Sequence, residues 1–300
     1  MTDPLTVSVP VRHALESGGG VVALETSVLS QGLPRPRNLE TSRAMTAAIR
    51  DRNAEPAWVF VDGGSVRVGA DDDDLERLAT ADDVAKVARR DLPILVANGR
   101  LGATTVSATL WAAHRVGIGV AATGGIGGVH RSGGDVSADL LELAGTPCVL
   151  VCSGPKSIVN AGATIERLDE LGVSVVGWRC DRLPFFVVRE TDNELEHRAD
   201  SAQEVAAMAR AREALGIGSA LLVCNPVDER LALPAAEIDS AVQTCEGRAA
   251  RAGRRGKGLT PYLLSCLAEV TEGRSLEANV ALLVANAGLA AEIAVALSVS

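Results

Sequence analysis

The feature that most constrains the fold of this chain is an alternation of short apolar runs with longer amphipathic segments. Seven runs have the length of β-strands: Val21–Leu24, Ala57–Val61, Ile94–Ala97, Ile118–Ala122, Cys148–Cys152, Val173–Gly177 and Ala220–Cys224. Helical spacing of apolar residues occurs over Leu39–Arg50, Thr104–Val116, Ser137–Ala144, Ser157–Leu171, Ala202–Ala214 and Ala235–Arg251, and from 258 to 299. Strands and helices that alternate in this way form a sheet covered by helices on both faces. The sequence therefore predicts a three-layer α/β/α sandwich with a mixed, mostly parallel sheet, as one domain over residues 1–300.

Composition limits the partners and the compartment of the protein. The net charge of −9 argues against general binding of nucleic acid, which requires a basic surface. We see no apolar stretch near the roughly 20 residues of a membrane-spanning helix, and no basic segment followed by an apolar one at the start. The six cysteines include no C-x-x-C pair. We therefore expect a cytoplasmic protein without a membrane span, with free, buried thiols.

Lysine is rare in this chain. Of 29 basic residues only Lys86, Lys156 and Lys257 are lysines, and the others are arginines. Arginine stays protonated in proteins, whereas a lysine in an apolar or cationic site can become a neutral amine nucleophile. Lys156 follows the apolar run 147–152 and opens a helical segment, and open α/β sheets place their chemistry at such strand ends. A lysine left over by chance in an arginine-rich composition is the alternative.

A carboxyl group stands at another predicted strand end. Glu25 directly follows the four apolar residues Val21–Leu24. Because it loses part of its hydration there, it is suited to act as an acid near neutral pH. A structural acid or a helix N-cap is the alternative, and Thr26 or Ser27 would serve equally well as a cap.

Two glycine-rich segments also follow predicted strands. In residues 97–106, glycines and small hydroxyl residues at a helix start expose backbone N–H groups that favour an anion. In residues 121–131, four glycines in five positions allow the backbone to pack closely around a ligand. His130 and Arg131 then add donors for a phosphate. A flexible loop is the alternative for the second segment.

Two groups of acidic residues invite a metal interpretation. The run Asp71–Asp74 precedes a helical pattern, and favourable interaction with the helix dipole is the simpler explanation. Asp135 and Asp139 lie one helical turn apart, and together they could hold a hard divalent cation through oxygen and water ligands. Helix capping by Asp135 is the alternative. No set of cysteines and histidines has the spacing of a zinc site.

Taken together, these segments resemble the pseudouridine-5′-phosphate glycosidase family, also called the indigoidine synthase A-like family, from about Val21 to Ala294. The matching motifs are VALE at 22–25, VAKVARRDLP at 84–93, GATTV at 102–106, ATGGIGGVHR at 122–131, DVSADL at 135–140, CSGPKS at 152–157, Asn225-Pro226, TPYLL at 260–264 and SLEAN at 275–279. The family makes or breaks the carbon–carbon bond between C1′ of ribose 5-phosphate and a ring carbon of uracil. The resemblance also implies a homotrimer.

The resemblance implies roles for the matched residues. Glu25 corresponds to the acid that protonates the ribose ring oxygen, and Lys156 to the amine that attacks C1′ and forms a Schiff base. A C-glycosidic bond has no heteroatom leaving group, so a lysine-bound iminium is needed as an electron sink. Asp135 corresponds to the residue that positions a divalent cation, usually manganese. The residues that match substrate contacts are Lys86, Val106, Thr123, His130, Ser137, Ala138, Asp139 and Asn279.

Three departures from the family pattern fall near the expected position of the aromatic ring. Gln31 replaces a histidine, Arg100-Leu101 replaces Lys-Asn, and the segment between His130 and Asp135 is shorter and lacks Glu-His-Thr. We therefore expect ribose 5-phosphate chemistry with weak turnover of pseudouridine 5′-phosphate. The alternative function is a C-glycosynthase of specialised metabolism with a non-uracil aromatic acceptor. A non-catalytic sugar-phosphate-binding protein is a third hypothesis, which would have no need of Lys156.

Overall fold

The computed structural model describes residues 4–131 and 135–299, and within them eleven strands form one sheet. The strands are β1 Leu5–Val7, β2 Gly20–Glu25, β3 Ala54–Asp62, β4 Ser65–Val68, β5 Ala85–Val87, β6 Gly102–Thr104, β7 Val120–Ala122, β8 Val149–Cys152, β9 Ser174–Trp178, β10 His197–Ala199 and β11 Leu221–Cys224. The helices are α1 Val9–Glu16, α2 Arg37–Arg50, α3 Asp72–Thr80, α4 Leu92–Asn98, α5 Val106–Arg115, α6 Ala138–Gly145, α7 Ala161–Glu170, α8 Ala202–Ala214, α9 Ala235–Arg251, α10 Leu259–Val270 and α11 Arg274–Ser298.

The sheet is mixed and mostly parallel. Its main order is β1-β4-β3-β2-β7-β8-β11-β9-β10, and β3 pairs antiparallel with β4 and with β6. The strands β2, β7, β8, β11 and β9 are parallel neighbours. Their carboxyl ends therefore lie along one edge of the sheet.

Helices cover both faces of the sheet, because successive side chains of a strand point to opposite sides. On β2, Val22 and Leu24 join a core that includes residues of α2, α8 and α11, whereas Val21 and Ala23 join a core with α1, α5 and α6. The same alternation separates Val149 and Val151 of β8 from Leu150. The predicted three-layer α/β/α architecture is confirmed.

Two short strands extend the sheet beyond the end of β2. Strand β3 pairs with β2 from Ala54 to Val59 and then with β6 through Phe60 and Val61. Strand β5 pairs with β6 and places Lys86 opposite Ala103. These strands form a wall above the carboxyl end of β2, and this wall carries Lys86 toward the other predicted site residues.

One predicted strand is a helix. The run Ile94–Ala97 lies within α4, which has a proline in its first turn and ends at Gly99 with φ +61°. Leu92 and Leu95 are buried, whereas Ile94 is 59% exposed. A short apolar run is ambiguous between strand and helix, and Pro93 favours the start of a helix.

The expectation that no apolar stretch approaches membrane length was wrong. Helix α11 has 25 residues and a window of mean hydropathy 2.1, so it could cross a membrane by length and composition. More than half of that window is buried, and the helix packs against β2, β7, β8, α2 and α8. Its hydropathy therefore matches its position in the core of this protein.

The expectation of free thiols was wrong for two cysteines. Cys245 of α9 and Cys266 of α10 form a disulfide, because the two helices pack side by side and bring the Cα atoms within 5.7 Å. Burial raises the pKa of the free Cys148 thiol to about 12, which makes it inert. The remaining free cysteines are Cys152, Cys180 and Cys224.

Candidate active site

The site lies where three neighbouring parallel strands end. Strands β2, β7 and β8 end at Glu25, Ala122 and Cys152, and the chain continues from them to Thr123 and Lys156. Because the carboxyl ends of parallel strands share one edge, these polar side chains line a common cavity. The sheet thus brings together residues that are 131 positions apart in sequence (156 − 25).

Glu25 is held by two hydroxyl groups. Thr123 Oγ1 donates to Glu25 Oε1 at 2.5 Å, and Ser27 Oγ donates to Oε2 at 2.6 Å. The residue is 9% exposed and still lines the cavity. Thr26 turns away and donates to the Val59 carbonyl. Glu25 therefore does not cap a helix, and its carboxyl group has a fixed orientation toward the cavity.

Lys156 is positioned by the glycine-rich loop that follows β7. Its backbone N–H donates to the Ile126 carbonyl at 2.9 Å, and its Nζ donates to the Gly125 carbonyl. A Cβ on Gly125 would lie 2.8 Å from the Phe186 ring and 3.3 Å from Cγ of Lys156. Gly125 thus allows the loop to pack against the lysine segment, and Gly124 and Gly125 also line the cavity.

A buried amide fixes the ends of the central strands. Asn286 of α11 is fully buried, and its Nδ2 donates to the Thr123 carbonyl at 2.9 Å and to Ser153 Oγ at 3.1 Å. Its Oδ1 accepts from Asn225 Nδ2 at 2.9 Å. Sequence reasoning missed Asn286. The available signal was a second amide, besides Asn279, in an otherwise apolar helix.

Lys86 extends into the cavity from β5. Burial lowers its pKa, the positive charge of Lys156 lowers it further, and the carboxylates of Glu25 and Asp139 oppose this shift. Two neighbouring lysine side chains also concentrate positive charge at this end of the cavity, and such a site attracts an anion. Lys86 is therefore placed to bind a phosphate.

The N-terminal ends of α5 and α6 complete this anion-binding end. Ser137 caps α6 by accepting from the Asp139 N–H at 3.2 Å, and Ser137, Ala138 and Thr105 line the cavity. The side chain of Val106 is buried in the core, so only its backbone N–H, in the first turn of α5, is suited to contact a ligand. Two helix N-termini next to Lys86 favour a negatively charged group.

Asp139 has a structural role within the same end of the site. Its Oδ1 accepts from the Ser107 N–H at 3.2 Å, and its Oδ2 accepts from the Gly127 N–H at 3.0 Å. Both oxygens are thus occupied by backbone donors from α5 and from the glycine loop. Asp139 holds these two segments together at the cavity wall, and it is poorly placed to serve as a metal ligand.

Asp135 and His130 stand at the outer rim. Asp135 is exposed, and its Oδ2 lies 4.0 Å from Nε2 of His130, which is 9% exposed. Across residues 4–131 and 135–299, no group of three or more His, Cys, Asp or Glu side chains is placed to hold a metal ion. A divalent cation that keeps water and substrate oxygens as ligands, with Asp135 as its carboxylate, fits this arrangement, whereas a closed cage of protein ligands does not.

Arg131 does not face this cavity. It donates to the Ser157 carbonyl at 3.0 Å and to Asp239 at 2.8 Å, in a separate groove beside α7 and α9. The expectation that it adds a phosphate donor was wrong, because its guanidinium group is bound by Ser157 and Asp239 in that groove.

The opposite end of the site is apolar. Asn279 is 8% exposed and lines the cavity together with Phe186, Pro261 and Leu264. These residues and Gln31 also line an adjoining cavity of about 430 Å³. The Gln31 Nε2 donates to the Val84 carbonyl, whereas its buried Oε1 has no partner among the described residues. The apolar end is therefore suited to a planar ring.

The structure gathers nearly all predicted site residues around one cavity. Its anionic-ligand part, of about 160 Å³, is lined by Glu25, Lys86, His130, Asp135, Ser137, Ala138, Asp139 and Lys156. Thr123 and Asn279 line the part next to the apolar end, and Val106 alone is turned into the core. Sequence reasoning missed Ser27, Thr105, Phe186 and Lys257 as lining residues. Lys257 had a visible signal, because it is one of only three lysines.

The chain is similar to named enzymes over nearly its whole length. It is 48% identical to the pseudouridine-5′-phosphate glycosidase of Methylobacterium nodulans, across 99% of this chain and 89% of that protein. It is 49% identical to the pseudouridine-5′-phosphate glycosidase of Gemmatimonas aurantiaca, across 96% of this chain and 94% of that protein.

Solved structures give the same assignment. The prealnumycin C-glycosynthase AlnA in complex with ribulose 5-phosphate superimposes with a TM-score of 0.90 and 36% identity, covering 98% of this chain and 97% of that chain. An indigoidine synthase A-like protein of Thermotoga maritima superimposes with a TM-score of 0.91 and 36% identity, covering 99% and 97%. Residues 10–296 match the family model described as indigoidine synthase A like protein. The chain therefore belongs to the indigoidine synthase A-like family, the family of pseudouridine-5′-phosphate glycosidases.

Proposed function

We propose that the chain makes or breaks the carbon–carbon bond between C1′ of ribose 5-phosphate and a carbon of an aromatic ring. The observation that carries this proposal is the convergence of Glu25 and Lys156 on one cavity with an anion-binding end and an apolar end. The names of the relatives support the same chemistry. Mass spectrometry tests it through the formation of uracil and ribose 5-phosphate from pseudouridine 5′-phosphate, or of a C-riboside in the reverse direction.

In the direction of cleavage, Lys156 and Glu25 divide the work. The amine nitrogen of Lys156 forms a bond to C1′, the bond between C1′ and the ring oxygen breaks, and Glu25 delivers a proton to that oxygen. The bond from C1′ to the aromatic carbon then breaks and leaves its electron pair on the aromatic ring, which takes up a proton. The nitrogen lone pair stabilises C1′ as an iminium, and water releases ribose 5-phosphate. Synthesis follows the same steps in reverse.

The anion-binding end positions the sugar for these steps. Lys86 and the N-termini of α5 and α6 bind the 5-phosphate, so that C1′ faces Lys156 across the cavity. The buried carbonyl of Gly125 accepts a hydrogen bond from Nζ of Lys156 and orients its lone pair. The polar end of the cavity thus holds the phosphate, and the apolar end holds the aromatic ring.

A manganese ion at Asp135 is part of the proposal. The ion would be held by this carboxylate, by water and by substrate oxygens, and when bound it would supply positive charge at the phosphate end. We expect chelation to stop catalysis, manganese to restore it, and Asp135→Ala to weaken metal retention without unfolding the protein. Activity assays and metal analysis by mass spectrometry check this. Full activity of a rigorously metal-free sample would contradict it.

The apolar cavity beside Gln31 predicts the size of the aromatic partner. The cavity of about 430 Å³ beside Gln31 is lined mainly by apolar side chains, and this favours an acceptor larger than uracil. Steady-state kinetics on pseudouridine 5′-phosphate should give a catalytic efficiency below roughly 10⁴ M⁻¹s⁻¹. C-ribosylation of an electron-rich, multi-ring aromatic should be faster. A higher efficiency on pseudouridine 5′-phosphate would mean that the changes in the pocket are neutral and that nucleotide cleavage is the activity.

A variant at Gln31 tests the role of this residue in recognition of the aromatic ring, and a variant at Leu276 is its matched control. Gln31→His restores the residue of the family pattern, and we expect it to raise the efficiency on pseudouridine 5′-phosphate. Leu276 lines the same cavity from α11, and Leu276→Met keeps its volume without adding a polar group. An equal gain from both variants would point to looser packing and away from ring recognition.

Two further features stay predictions. The family resemblance implies the homotrimer, and the composition of the chain predicts the cytoplasmic location. A non-catalytic sugar-phosphate-binding protein is disfavoured, because relatives at 36% and 49% identity carry the names of enzymes.

A further inference from the structure

All three lysines of the chain line the same cavity. Lys86 lies on β5, Lys156 follows β8, and Lys257 lies in a single helical turn, Gly256–Gly258, between α9 and α10. The roles proposed above use Lys86 and Lys156 only. Lys257 has no part in those roles, although it lines the same cavity.

The Nζ atom of Lys257 has two partners in the segment that carries Lys86. It lies 2.7 Å from Oδ2 of Asp91 and donates to the backbone carbonyl of Lys86 at 3.2 Å. Asp91 is 9% exposed, and its Oδ2 also accepts from the Ala88 N–H at 2.9 Å. One carboxylate oxygen therefore joins Lys257 to the turn that follows β5.

The connector from 252 to 258 has little else to hold it against the wall of the cavity. Its residues are exposed, and Gly253 and Gly256 adopt positive φ. Arg254 stacks over the ring of Tyr262, which belongs to α10 and keeps the contact local. Within residues 4–131 and 135–299, the hydrogen bonds and ion pairs that join this connector to the β5 segment are those of Lys257.

We propose that Lys257 is a positioning residue that clamps the α9–α10 connector onto the β5 segment and so holds Lys86 at the phosphate end of the cavity. A lysine side chain is long enough to cross from the connector and to reach both partners from one nitrogen. Its charge also neutralises Asp91, a carboxylate that would otherwise oppose the binding of a phosphate nearby. The expectation that its loss weakens sugar-phosphate binding rests on the proposed function, whereas the clamp itself does not.

Limited trypsin digestion tests the clamp without any assay of activity. The connector offers the exposed cleavage sites Arg254 and Arg255. Lys257→Met removes both contacts, and we expect cleavage after these arginines to become about tenfold faster, since a lost charged hydrogen bond raises the population of the open connector. Lys257→Arg keeps the charge and should restore most of the protection. Equal cleavage rates in the wild type and in Lys257→Met would overturn the proposal.

Kinetics separate positioning from a general loss of structure. We expect Lys257→Met to raise the KM for the sugar phosphate about tenfold and to change kcat less than about twofold, with partial rescue by Lys257→Arg. Arg254→Met is the matched control in the same connector and should leave both constants unchanged. An equal effect of Arg254→Met, or an unchanged KM in Lys257→Met, would overturn the positioning role. Faster trypsin cleavage of Lys257→Met in a protein whose wild type lacks turnover would instead refute the proposed function and support the clamp.

Discussion

Replacement of Lys156 by arginine should abolish both turnover and covalent labelling of the protein. Borohydride reduction in the presence of ribose 5-phosphate should attach the reduced sugar phosphate to Lys156 of the wild type, where peptide mapping by mass spectrometry locates it. Arginine stays protonated and offers no free electron pair to C1′, so Lys156→Arg should lose turnover by about 10³-fold or more. The volume and the charge of the side chain are nearly kept, and the fold should be unaffected.

The other two lysines of the cavity supply the controls for this experiment. Lys86→Arg and Lys257→Arg keep a cation near the phosphate end, and both variants should still be labelled at Lys156. Labelling that persists in Lys156→Arg and moves to Lys86 would identify Lys86 as the nucleophile. Lys86 is the alternative nucleophile, because burial and the charge of Lys156 lower the pKa of Lys86 and favour its neutral amine.

The positions of Glu25 and Lys156 could be predicted because each follows an apolar run that is buried on both faces of the sheet. Both runs, at β2 and β8, became central parallel strands, and parallel strands expose their carboxyl ends at a common edge. The run Ile94–Ala97 has the same local pattern and became α4. The local pattern alone does not distinguish a strand from a helix, because packing against the rest of the chain decides which of them forms.

Features that depend on contacts between distant residues could not be predicted. Strands β5 and β6 have three residues each, which is too short for a periodicity, and they form through pairing with each other and with β3. The glycine loop packs against Phe186 and Lys156, and no local signal shows this. Asn286 donates to the Thr123 carbonyl and Lys257 to the Lys86 carbonyl. Each pair is far apart in sequence, so only the fold shows these contacts.

The change Glu25→Gln should lower the rate of C-glycoside cleavage by about 10² to 10⁴-fold, the range typical of a general acid. The amide is isosteric with the carboxyl group and cannot deliver a proton to the ribose ring oxygen. Its oxygen still accepts a hydrogen bond from Ser27 or Thr123, because both hydroxyls can rotate to suit it. The melting temperature should therefore stay within a few degrees of that of the wild type, and steady-state rates measure the loss.

Labelling separates the acid from the nucleophile in this variant. Free ribose 5-phosphate exposes an aldehyde in solution, so its reduction onto Lys156 does not depend on ring opening at the site. Glu25→Gln should thus remain labelled by ribose 5-phosphate and borohydride while it loses cleavage of the intact C-glycoside. Ser27→Ala removes one hydrogen bond to the Glu25 carboxyl group but leaves the acid in place, and we expect a rate loss of less than about tenfold, in line with a net value of about 1 kcal/mol for a typical hydrogen bond. Cleavage by Glu25→Gln within tenfold of the wild-type rate would assign the proton to another donor, and loss of labelling in that variant would mean that Glu25 acts on Lys156 and not on the sugar.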